Sequence, residues 1–114
     1  MLRAHVRILL CTEPQDFRKS FDGLALVVRQ TLGENPQSGT LFGFFNKRMN
    51  RLKWLWWDET GYCLLYKRLH RADVRLPASA AHGAVSAAIT SQELVELLRG
   101  AGREDRSTRR RKAA

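Results

Sequence analysis

The sequence predicts a small single-domain α+β protein. The expected architecture is an antiparallel sheet of about four strands packed with two helices, followed by a disordered basic tail. Three observations carry that prediction. Hydrophobic residues make up 44% of the 114 residues, ordinary globular usage and enough for one core. Apolar residues recur at spacings of three and four between residues 20 and 32, and again after Thr90, which is the period of a helix lying on a core. Between Leu41 and Leu69 the period falls to two in three aromatic-rich runs. The fold is expected over residues 1–102 and the tail over 103–114.

The elements follow in chain order. His5–Cys11 (HVRILLC) is a β-type run closed by Thr12-Glu13-Pro14, because proline disfavours helix at the residue before it. Asp16 and Ser20 are both candidate N-caps for a helix over about 20–32. Phe21, Leu24, Ala25, Val28 and Leu32 line one face of it, Gly33 ends it, and NPQSG is a loop. LFGFF, LKWLWW and YCLLYKRL, separated by KRMNR and DETG, read as a three-stranded antiparallel meander. On its second strand Leu52, Trp54 and Trp56 share one face, while Lys53, Leu55 and Trp57 share the other. On the third, Tyr62, Leu64, Tyr66 and Arg68 oppose Cys63, Leu65, Lys67 and Leu69. Neither face is purely polar, so one is expected on a helix and the other partly exposed. Residues 78–88 read as a loop with a short strand. Thr90 and Glu93 form a capping box, Leu94, Leu97 and Leu98 share one helix face, and Gly100 and Gly102 end the chain's second helix.

Twenty Lys and Arg stand against 11 Asp and Glu, a net charge of +9. That balance points to a polyanionic partner. The charge sits in two places. Residues 103–114 hold six basic and two acidic residues, and residues 47–75 hold eight basic and three acidic. Arg18, Lys19, Lys47, Arg48, Arg51, Lys53, Lys67, Arg68 and Arg71 are the candidate phosphate contacts of the fold. Trp57, on the face of Lys53, is the candidate stacking residue. Arg109, Arg110, Arg111 and Lys112 suit a sequence-independent phosphate anchor, or equally a solubility tail. The hairpin cations also have a second reading, as a solvated rim around a core that contains Trp54 and Trp56.

Other chemistry is weakly represented. Asp16, Asp22, Asp58 and Glu59 are the acids a Mg²⁺-dependent nuclease would need, but Asp58-Glu59 suits a turn and Asp16 a cap. His5, His70 and His82 are scattered, and Cys11 and Cys63 lack zinc spacing, so no metal, cofactor or catalytic residue is expected. The two cysteines lie in apolar runs as reduced thiols, and residues 1–11 lack a signal-peptide pattern. The longest uncharged run, 76–92, contains Pro77 and is mostly Ala and Ser, unlike a membrane span. A cytoplasmic location is expected.

Four separated motifs carry a resemblance. They are Arg18-Lys19-x-Phe21-Asp22-Gly23-Leu24, Leu41-Phe42-x-Phe44, Lys53-x-Leu55-Trp56-Trp57-Asp58-x-x-Gly61 and Lys67-Arg68-Leu69. Together they resemble the TnpB, or Orf2-like, accessory proteins of the insertion-sequence family numbered sixty-six, over roughly residues 5–100. That family is unrelated to the RNA-guided nuclease with the same letters. The resemblance implies a non-catalytic accessory protein of transposition, encoded beside a separate DDE-type transposase. It implies DNA and the transposase or its other small protein as partners, and supplies no catalytic residues. The alternative is a protein-interaction module that docks on those partners without touching DNA. The chain departs from the family in His70, where an acid is usual, in Ala72–Pro77, where a Gly-x-Phe-x-Trp-Pro-like ending is usual, and in Met49-Asn50, where Gly-Asp is common. The apolar pattern survives these departures.

Overall fold

A computed structural model describes residues 6–81 and 83–102. The elements are β1 (Ile8–Cys11), α1 (Phe21–Gln30), β2 (Leu41–Phe45), β3 (Arg51–Asp58), β4 (Gly61–Arg68), β5 (Ala72–Asp73), a 3₁₀ turn (Ala78–Ala81), β6 (Ser86–Ala88), α2 (Ser91–Arg99) and β7 (Ala101–Gly102). The α+β class stands, with one main sheet of five strands in the order β4-β3-β2-β1-β6 and a small β5-β7 pair.

The sheet is mixed. β2, β3 and β4 form the expected antiparallel meander, but β1 runs parallel to β2, with Ile8 opposite Leu41 and Leu10 opposite Gly43. Both β1 and β2 are buried at every position. Strands covered on both faces read as unbroken apolar runs, and ILLC and LFGFF are such runs. The alternation along each strand sends side chains into two cores. On one face Leu9, Cys11, Phe42, Phe44 and Leu55 meet Leu24, Ala25, Val27 and Val28 of α1. On the other, Ile8, Leu10, Leu41, Leu52 and Trp54 meet Leu69, Val74, Ile89 and Leu97 of the C-terminal third. The expected half-exposed face is therefore covered, because residues after Leu69 fold back under the sheet.

Local chemistry explains most of the boundaries. Thr90 Oγ1 accepts the Glu93 amide at 3.1 Å and Glu93 Oε1 accepts the Thr90 amide at 3.0 Å, completing the capping box of α2. Ser20 is the N-cap of α1 but makes no side-chain cap bond. Asp16 is no cap, since its carboxylate is taken by Arg18. Val27 joins the buried face of α1, whereas Phe21 is 43% exposed. Gly43 lies directly across from Trp54, whose ring covers it so closely that a Cβ there would sit 2.3 Å from a ring carbon. Trp54 is accordingly core, as expected, and Trp56 is half-buried against the same cluster.

Candidate nucleic-acid interface

The parallel pairing of β1 and β2 has a direct consequence for the cations. Two adjacent parallel strands deliver the loops after their carboxyl ends to the same edge of the sheet. The segment after β1 carries Arg18, and the turn after β2 carries Lys47 and Arg48. The Gln15 amide donates to the Phe45 carbonyl at 2.9 Å and pins one loop to the other. Between them lies an open groove of about 610 Å³ lined by Arg18, Lys47, Arg48 and Arg51 together with Asp16, Phe17 and Asn46. Four residues that the sequence separates into two regions thus face one ligand-sized space.

Asn46 shapes the second wall. Its Oδ1 accepts the amides of Asn50 at 3.0 Å and Arg51 at 2.9 Å, and its Nδ2 donates to Asn50 Oδ1 at 2.6 Å. The turn these bonds close places Met49 at φ 60°, the left-handed region where glycine is the natural residue. Lys47 and Arg48 project from this turn into solvent. Arg51 enters β3 directly opposite Arg68 of β4, so two guanidinium-bearing residues share one face of adjacent strands. Like charges in that position repel, which a bound anion relieves. Arg51 also donates to the Tyr66 hydroxyl and lies 5.9 Å from that ring.

The first wall is set by Asp16 and Lys53. Arg18 grips Asp16 through Nε at 2.9 Å and its terminal nitrogen at 2.6 Å. That guanidinium holds the Asp16 carboxyl down at about 2, well below its ordinary 3.8. Lys53 was expected to reach phosphate and does not: it is 3% exposed. Its ammonium donates to the carbonyls of Phe17 at 2.9 Å and Lys19 at 2.6 Å, between the rings of Phe17 and Tyr66. Burial lowers its pKa. Lys53 fastens the loop that bears Arg18, and that is a structural role.

The remaining candidates are dispersed. Lys19 is exposed, with Nζ 3.5 Å from Gln15 Oε1. Lys67 is on the opposite face of the sheet, donating to the Leu98 carbonyl of α2. Arg71 follows β4 in a left-handed conformation, φ 54°. Trp57 is half-buried and packs edge-on against Tyr62, centroids 5.0 Å apart. It stands six residues along β3 from Arg51, about 20 Å, so it is remote from the groove. The aromatic groups beside the groove are Phe17 and Tyr66, which meet edge-on at 5.9 Å. Tyr66 is 47% exposed, and its position one strand over from Lys53 was the signal available in sequence. Arg109, Arg110, Arg111 and Lys112 lie outside the described residues.

Among the described residues no three His, Cys, Asp or Glu side chains group to hold a metal ion, and no helix is long and apolar enough to cross a membrane. Cys11 is buried, and burial pushes its thiol pKa up.

The model of a family described as IS66 Orf2 like protein matches residues 6–108. The uncharacterized protein y4hO of Sinorhizobium fredii is 41% identical over 96 residues, covering 84% of this chain and 81% of that protein. A second protein of that organism, the uncharacterized protein y4jC, is 36% identical over 72 residues, covering 63% of this chain and 62% of its own length. No solved structure matches the chain.

Proposed function

Because this chain belongs to the IS66 Orf2-like family and so is an insertion-sequence accessory protein, we propose that it binds DNA through the basic groove and assists a separate transposase without performing chemistry itself. The groove carries the reading: Arg18, Lys47, Arg48 and Arg51 converge on one open space at the carboxyl ends of the parallel strands. Such an array meets successive phosphates and releases their counterions on binding. Tyr66 and Phe17 supply aromatic surface next to the phosphate positions, as single-strand binders use. The basic tail adds a sequence-independent anchor. The transposase and the other small protein of the element are the protein partners.

The test is fluorescence anisotropy on a labelled duplex and a matched single strand across a salt series. Replacing Arg18, Lys47, Arg48 and Arg51 by Gln is expected to flatten the log–log salt dependence by about one unit per lost contact. A second variant, with Arg109, Arg110, Arg111 and Lys112 as Gln, is expected to lose affinity while keeping the groove's share. Unchanged binding in the groove variant would move the footprint to the tail.

A second reading has one observation in its favour. Leu26 and Val95, on the outward faces of the two helices, are 50% and 48% exposed. On that reading the chain docks on the transposase without touching DNA. Absence of DNA affinity at low salt, with a protein complex that survives nuclease, would establish it in place of the first.

A further inference from the structure

The outer edge of β4 is eight residues long. β4 closes one side of the five-stranded sheet, and among the described residues it pairs only with β3. Edges of this length are normally blunted by a lysine, a proline, a bulge or a covering loop. Residues Tyr62–Tyr66 contain no charge, proline or glycine, and Leu65 and Tyr66 are 43% and 47% exposed. Lys67, the residue suited to guard the edge, is turned onto the Leu98 carbonyl of α2. The other edge strand, β6, is only three residues long.

Charge along β4 is segregated by sign. Glu59 precedes the strand in an exposed turn, and Arg68 ends it. We propose that β4 pairs antiparallel with β4 of a second copy of this chain, forming a twofold dimer whose two sheets run on as one. Side chains on the same face must stand opposite each other across such a pair, which restricts the register. With the axis at Leu64, Tyr66 meets the second copy's Tyr62 and Leu65 meets its Cys63. Arg68 then stands against the second copy's turn, beside its Glu59. The opposite-sign ends meet twice, once on each side of the axis. A parallel arrangement would instead set Arg68 on Arg68. An axis perpendicular to the sheet also leaves both α1 faces on one side.

The pairing needs no DNA and is tested on nuclease-treated full chain by sedimentation equilibrium. The average mass is expected to rise with concentration toward two chains. Glu59→Arg and Arg68→Glu are each expected to raise the dissociation constant about tenfold, since each reverses two symmetric charge pairs. The double variant is expected to return it to within about threefold of the parent. A chain that stays monomeric, single reversals without effect, or a double variant that fails to recover would each overturn the proposal. Hydrogen exchange of the unmodified protein gives a readout free of substitutions. Protection of β4 amides is expected to grow with protein concentration, and protection independent of concentration would overturn it.

Discussion

Asp16 decides how much of the Arg18 charge a ligand meets. Its carboxylate accepts from Arg18 at 2.6–3.1 Å, so the groove holds one neutralised cation beside three free of that partner. Asp16→Asn is expected to raise DNA affinity about threefold at low salt and to lose that advantage as salt screens the groove. The pH dependence has a definite sign. The folded pKa, about 2, lies below the ordinary 3.8, so the stabilisation is complete above 3.8 and is lost as pH falls toward 2. Acid unfolding of the parent and Asp16→Asn is expected to converge across that window. Lys53→Met removes the donor from two carbonyls and is expected to destabilise by about 1–2 kcal/mol in urea unfolding. It is also expected to weaken DNA binding although Lys53 reaches no ligand, because the Arg18 loop loses its fastening. An unchanged affinity would show that the loop holds its place without it.

At the scale of elements, the β2–β3 pair depends on one close approach. Trp54 lies on Gly43, and a methyl group there would meet the ring at 2.3 Å. Gly43→Ala is expected to destabilise by about 1–3 kcal/mol, through an overpacked, fully buried aromatic. Trp54→Leu in the same chain is expected to recover part of that loss, so the two substitutions should be non-additive in urea unfolding. The strands themselves were largely legible from their letters. LFGFF forms β2 without adjustment, LKWLWW gains one residue at each end to become β3, and YCLLYKRL shifts by one residue to Gly61–Arg68 as β4. The Thr90 and Glu93 box was equally plain, since both partners of a capping box lie within four residues of each other.

For the molecule as a whole, legibility stopped where neighbours are far apart in sequence. Period two tells which side of a sheet Leu9 or Phe42 faces, but not which strand lies beside β1 or in which direction. The parallel β1–β2 pair was therefore missed, and with it the meeting of Arg18 with Lys47 and Arg48. Lys53 was misread for a related reason. A lysine between apolar residues looks like a surface cation, and only the carbonyls of Phe17 and Lys19, 36 and 34 positions away, give it an interior partner. Covering of the second sheet face was also hidden, because Leu69 reads as the end of a strand and Val74 and Ile89 are isolated apolar residues in stretches without a period.

The bond from the Gln15 amide to the Phe45 carbonyl carries a consequence for heredity. It makes the first loop and the second turn one unit of selection. In a randomised library sorted for DNA retention, positions 18 and 48 should co-vary, a lost cation at one being offset by a gained cation at the other, while position 57 drifts on its own.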